Sequence, residues 1–353
     1  MKPALSILLI VVTIVSLSCQ HTTEPERKIK HPQEMTWTVD TLPISQDAIQ
    51  IMVVDLLVVS PTDIWLALWT GHGQMMHYDG KSWKIVKEVS GGINCIVQGK
   101  GNDIWIGGYI GHLNVNEFTR HTYIGKYNGT SWIDNQLNIN SEVFGMAKDQ
   151  DGNIWTCGGN GVILKIDNNK FIIDTINVNH YSDAEYYLSS IDFYKNKAWI
   201  ISSVYDSKRK RDLYHVINGD IKNWTIVDSM IIDGPNSILK WGQWKLFSNR
   251  FGKLYSIGLG GIWEYINNGW NQTYESRSNI SGIDGLGEDY LIAVGNFKEI
   301  LFYDGNKWEN IANILPEINN NLVFKDVWTN GNEIFIAGHE AFGFSRALIF
   351  HGK

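Results

Sequence analysis

The feature that most constrains this chain is a turn followed by an aromatic-led apolar strand. It reads Thr62-Asp-Ile-Trp65, Asn102-Asp-Ile-Trp105, Gly152-Asn-Ile-Trp155, Asn196-Lys-Ala-Trp199, Gly252-Lys-Leu-Tyr255, Gly287-Glu-Asp-Tyr290 and Asn332-Glu-Ile-Phe335, with a mean spacing of about 45 residues. A second unit alternates with it, an apolar strand closed by a polar turn and an aromatic. Its copies are Tyr78-Asp-Gly-Lys-Ser-Trp83, Tyr127-Asn-Gly-Thr-Ser-Trp132, Ile166-Asp-Asn-Asn-Lys-Phe171, Ile217-Asn-Gly running on to Trp224, Ile266-Asn-Asn-Gly-Trp270 and Tyr303-Asp-Gly-Asn-Lys-Trp308. Asn-Gly and Asp-Gly supply the left-handed backbone that a tight hairpin needs. Repeats of this length, built from short strands, predict propeller blades. No helical period of any length competes with them, which removes solenoids and α/β folds.

The chain stops at Phe350-His-Gly-Lys353, the opening of a second unit without the aromatic strand that should follow. Met35-Thr-Trp37-Thr-Val-Asp40 resembles that missing piece, as comparison with Ser82-Trp83-Lys-Ile-Val86 brings out. The expectation is therefore an all-β fold over residues 35–353: a seven-bladed β-propeller closed by the N-terminal strand joining the last blade. Such closure leaves no open edge at the seam.

The amino terminus predicts a different fate. Met1-Lys2 precedes an apolar run from Leu5 to Leu17, shorter than the roughly 20 residues of a bilayer-spanning helix, so residues 1–18 read as an export signal. Ser16-Leu-Ser-Cys19 resembles the lipobox of bacterial lipoproteins, with Ser16 where that family usually has Leu. The resemblance implies that Cys19 becomes the lipidated first residue, and Gln20 after it implies the outer membrane. Residues 19–34, polar and broken by Pro25 and Pro32, read as a flexible tether. Cys95 and Cys157 sit inside apolar strand patterns and are expected as buried free thiols, too few for a disulfide framework.

The unit around Trp155 resembles the two-component-regulator-type propeller repeat of bacterial sensors. The Tyr-Asp-Gly-Lys-Ser-Trp units resemble repeats of exported bacterial propellers, and together the likeness spans nearly all of residues 35–353. It implies the fold and carries over no catalytic residue.

A net charge of −7 argues against nucleic acid as a partner. No phosphate loop, metalloprotease helix or Gly-x-Ser-x-Gly elbow is present, and no cofactor is expected. Candidate ligand residues fall where insertions break the repeat, on one loop-rich face. The long segments are 108–121, 204–211, 177–187 and 229–244. His72, His112 and His339 follow or flank glycines in equivalent loops, where three imidazoles are either a transition-metal site or ordinary exposed turns. Tyr109, Tyr181 and Trp241, with the carboxylates Asp183 and Glu185, suit the stacking and hydroxyl binding of sugar rings. Asp183 and Glu185 also have the chemistry of an acid–base pair. Tyr187 and Trp244 are expected to begin inner strands and pack in the core. Lys208, Arg209, Lys210 and Arg211 form a basic loop tip, either a solvated turn or a contact for anionic glycan or lipid. Asp40-Thr-Leu42, Asp174-Thr-Ile176 and Asp228-Ser-Met230 resemble an O-glycosylation acceptor motif of some envelope bacteria, although Asp at such a turn equally caps backbone amides.

Together these residues support a non-catalytic, envelope-associated binding or scaffolding propeller. It would be attached to the membrane by its lipid and have protein or glycan partners. The alternative is a carbohydrate-active enzyme, a glycosidase or lyase, using the loop-rich face.

Overall fold

The computed structural model describes residues 29–44, 50–114, 117–178, 185–249, 251–316, 321–341 and 346–353. The polar turns act as the sequence predicts. Asp79 accepts the N–H groups of Lys81 and Ser82 at 3.0 Å each, and Gly80 takes φ +84°. Tyr78 and Trp83 then face each other across the hairpin at 5.3 Å. The same geometry recurs at Tyr127–Trp132 (5.4 Å), Tyr265–Trp270 (5.1 Å) and Tyr303–Trp308 (5.1 Å). The aromatic-led strands are buckled at their other end. Asp63 accepts the Trp65 indole N–H at 2.7 Å, and Asp149 accepts that of Trp155 at 2.9 Å.

Trp37–Thr41 is β1. The first complete sheet runs β2 (Met52–Ser60), β3 (Asp63–Trp69), β4 (Gly73–Tyr78), β5 (Trp83–Val89). The second runs β6 (Gly92–Gln98), β7 (Ile104–Asn114), β8 (Glu117–Tyr127), β9 (Trp132–Gln136). The third is β10 (Val143–Lys148), β11 (Ile154–Gly158), β12 (Val162–Asp167), β13 (Lys170–Thr175). The fourth is β14 (Glu185–Tyr194), β15 (Lys197–Asp206), β16 (Arg211–Asp220), β17 (Asn223–Ile232). The fifth has six strands: β18 (Lys245–Ser248), β19 (Leu254–Ile266), β20 (Gly269–Gly285), β21 (Leu291–Gly295), β22 (Ile300–Tyr303) and β23 (Trp308–Asn310). The last is β24 (Leu322–Thr329), β25 (Ile334–Glu340), β26 (Ala347–Gly352), with β1 beside β26.

Neighbouring sheets bury their apolar faces against one another. Trp155, Leu188, Ile200 and Ile217 share one such layer between the third and fourth sheets. The inner strands follow each other around the ring: β2 on β6, β6 on β10, β10 on β14, β14 on β18, β20 on β24, and β24 on β2.

Two expectations are corrected. Among the described residues the sheets make a six-bladed β-propeller, not a seven-bladed one. The reason is β20, whose first half pairs with β19 and whose second half pairs with β21. Residues 275–280, Glu-Ser-Arg-Ser-Asn-Ile, contain no turn-forming pair. The chain therefore passes from one repeat to the next without a break, and the units of Tyr255 and Tyr290 share one sheet. Nor is the ring closed by the N-terminal strand. β1 runs antiparallel to β26, from Trp37↔Gly352 to Thr41↔Leu348, as the outermost strand of its sheet. The seam is instead the packing of β24 and β25 on β2, where His339 Nδ1 accepts the Val53 N–H at 3.2 Å.

Cys95 and Cys157 are buried free thiols. Among the described residues no helix is long and apolar enough to cross a membrane.

Candidate functional site at the channel mouth

The inner strands share an irregularity. Pairing with the second strand slips by one residue between Val53 and Asp55, Ile93 and Cys95, Val143 and Gly145, Leu188 and Ser190, Ile280 and Gly282, and Phe324 and Asp326. A bulge of this kind re-aims the extra side chain. The skipped residues Val54, Asn94, Phe144, Ser189, Ser281 and Lys325 all line one cavity of about 730 Å³. Trp244, just before β18, lines it too. The central cavity is thus built from one structural position repeated around the ring.

The strands beneath are tied together by side chains. Asp55 Oδ2 accepts the Ile96 N–H at 2.9 Å, and Asn94 Nδ2 donates to the Val143 carbonyl at 2.7 Å. Ser190 Oγ and Asp192 Oδ2 accept from Leu246 and Ser248 N–H, at 2.9 and 2.5 Å. Ser281 Oγ donates to the Phe324 carbonyl, and Asp284 Oδ2 accepts the Thr329 N–H at 2.7 Å. Glycine at 282 permits the closest approach, since a Cβ there would stand 2.7 Å from the Asp326 Cα. Most polar groups near the cavity are therefore already engaged. The surface left for a ligand is largely aromatic and apolar, with Phe144 and Tyr187 edge to face at 5.6 Å.

Charges cluster on one side. Lys245 Nζ donates to Asp326 Oδ1 at 3.1 Å. Burial is the main cause that pushes the Asp55 carboxyl up to about 7; Lys245 pulls it down and Asp326 pushes it up. Burial opposes the charge on Lys245, but Asp326, Asp55 and Asp192 hold its ammonium well above the usual range. Burial likewise raises Asp192 to about 6 and Asp284 to about 7. On the rim, Arg120 pairs with Glu142 at 2.6 Å and lies over the Tyr109 ring at 4.9 Å. Lys325 lies over the Trp244 ring at 5.1 Å, and burial lowers its pKa.

Of the sequence candidates, Tyr109 lines the cavity. Trp241 and Trp244 exchange the places expected of them. Trp241 is fully buried with Tyr194, Trp199 and Trp263, whereas Trp244 is 49% exposed at the cavity. The cause is Gly242, whose N–H is held by Ser256 Oγ at 3.1 Å and whose backbone lies flat on Ile257. Tyr187, expected in the core, also lines the cavity. His72 bonds to Glu88 at 3.2 Å on the surface. His339 is buried and spends Nδ1 on Val53, with a pKa pushed down to about 4 by burial and then by Lys325. The backbone of His112 lies in β7 and that of Glu185 opens β14, while Cys19, Tyr181 and Asp183 lie outside the described residues. Among the described residues no group of three or more His, Cys, Asp or Glu is arranged to hold a metal.

The basic tip is organised by Asp206, 2% exposed, which binds Arg209 at 3.0 Å and Arg211 at 3.5 Å, with Lys208 exposed beside them. Segment 108–121 is mostly the extended hairpin of β7 and β8 rather than a loop. Asp174 caps, as its turn chemistry predicts: it accepts from the Thr175 and Lys222 amides and the Trp224 indole. Sequence reading missed Asp55, Phe144, Lys245, Lys325 and Asp326. A signal was present, because charged residues interrupt the apolar runs Val53–Leu57 and Val323–Val327.

The fold is a β-propeller. The chain is similar to a structure titled YCF48 bound to D1 peptide, with TM-score 0.58, 13% identity, and coverage of 93% of this chain and 98% of that one. It is also similar to the WD40 β-propeller domain of Doa1 (TM-score 0.55, 14% identity, 90% and 97% covered). The WD40 domain of Pan2 from Neurospora crassa gives TM-score 0.57 at 11% identity, with 92% and 97% covered. At these identities the likeness concerns the fold alone. No protein-family model and no curated protein matches the chain.

Proposed function

We propose that this chain is a non-catalytic binding module of a bacterial envelope, anchored through a lipid on Cys19, that captures a segment of a partner protein at the channel mouth. The observation that carries this reading is the cavity wall. Its polar groups are mostly engaged in strand-to-strand ties, which leaves aromatic and apolar side chains to meet a ligand. Sugar rings need free donors and acceptors in number, whereas peptide side chains fill apolar recesses around a few anchors. A propeller of this fold has been described with a peptide bound.

Selection of a displayed peptide library on the purified protein checks this. Related sequences should be enriched, and Phe144→Ala/Trp244→Ala should weaken them by about tenfold or more without lowering the melting temperature. Absence of enrichment, or equal binding by the variant, would end the reading. The carbohydrate-active alternative draws on Asp55, a carboxyl near neutrality on the cavity wall beside Asp326. Turnover of an envelope polysaccharide that Asp55→Asn abolishes would establish it instead.

A further inference from the structure

The charges at the channel mouth do not balance. Arg120 is neutralised by Glu142, and Lys245 by Asp326 with Asp55 beside it. Lys325 is left over: among the described residues it makes no ion pair, and its ammonium rests on the Trp244 ring at 5.1 Å. The neighbouring His339 is neutral at physiological pH and engaged with Val53, so it offers no anion. Burial acts alone to lower the Lys325 pKa, with no carboxylate to counter it. Holding an uncompensated cation in a partly desolvated wall is unfavourable, and a carboxylate arriving there removes the penalty while gaining a charge-assisted hydrogen bond. The bulge between Phe324 and Asp326 aims this side chain into the cavity, so the cation is presented by the architecture.

We propose, on the peptide-binding reading above, that Lys325 receives a carboxylate of the bound peptide, with an adjoining apolar side chain packed between Trp244 and Phe144. The carboxylate belongs either to an acidic side chain or to the chain terminus. A uronic acid carries the same group, but its ring hydroxyls would meet Asn94, Ser190 and Ser281 already engaged with backbone.

A positional-scanning peptide library, synthesised with free and with amidated C-termini and with or without Asp and Glu, tests this by fluorescence anisotropy. Binding should require a carboxylate, and the form that loses binding identifies its source. Lys325→Met should raise Kd by about ten- to a hundredfold, while Lys325→Arg keeps most of the affinity. The carboxylate requirement is read on the wild-type protein, so it stands even if a variant folds poorly. Peptides that bind equally without any carboxylate, or bind Lys325→Met as well as wild type, would overturn the role of Lys325 and leave peptide binding intact. Failure of every peptide, with or without binding of uronic-acid oligosaccharides, would overturn both.

Discussion

At the scale of single residues, the ring stores its electrostatic tension in buried carboxyls of the inner strands. Asp284 is the simplest to isolate. Burial is the main cause of its rise to about 7; the Thr329 and Gly285 amides oppose it, Asp326 adds to it, and Lys245 draws it down. A carboxyl whose folded pKa stands above its unfolded value holds its proton better in the folded state. Its contribution to stability is therefore present at low pH and lost as pH rises from about 4 to about 7, with no further change above. Asp284→Asn keeps an acceptor for Thr329 and cannot ionise. Between pH 5 and pH 8 it should lose less stability than wild type, by on the order of 2 kcal/mol. Thermal unfolding at the two pH values measures this. His339, with its lowered pKa, changes stability in the opposite direction in both proteins and cancels in the comparison. Equal losses in the two proteins would show that Asp284 does not carry the effect.

At the scale of elements, the turns before Trp65 and Trp155 are small hydrogen-bonded buckles. Asp149 accepts the Asn153 N–H at 2.8 Å, the Asn153 side-chain amide at 2.9 Å and the Trp155 indole at 2.9 Å. Asp149→Ala leaves the indole N–H of a buried Trp155 without its acceptor, a cost of about 2–3 kcal/mol. The exposed neighbour Asp151 serves as control. Urea unfolding should show a lower midpoint with unchanged slope for Asp149→Ala alone, and equal midpoints for the two variants would remove the buckle from the account. These buckles and the Asp-Gly hairpins were legible in the sequence, because each is completed within about six residues. The bulges were not. Val54, Asn94, Phe144, Ser189, Ser281 and Lys325 share a structural position but span five residue types, so no common letter marks them.

At the scale of the whole molecule, the side-chain ties join inner strands of adjoining sheets, so the wall of the channel should open only when the ring does. Amides of Ile96, Leu246 and Thr329, each donating to a side chain of the neighbouring inner strand, are expected to exchange hydrogen only through global unfolding. Amides of the outer strands β9 and β23 should exchange through local openings of lower free energy. Native-state exchange at increasing urea separates the two classes, and inner amides that exchange independently of urea would refute the tied ring.

The sequence alone determined the all-β character, the turns, the aromatic that follows them and the repeat from which the ring is made. All of these rest on hydrogen bonds and side-chain alternation between near neighbours. Only the tertiary structure decided the number of blades, because β20 runs straight through a boundary that the repeat spacing implied. It also decided which tryptophan faces the cavity. Trp241 and Trp244 are three residues apart in similar surroundings, and it is the packing of Gly242 on Ile257 that buries one and exposes the other. The cavity itself brings together Asp55, Lys245 and Lys325, residues from opposite parts of the chain. Their meeting depends on the closure of the ring, a long-range event that no local pattern encodes.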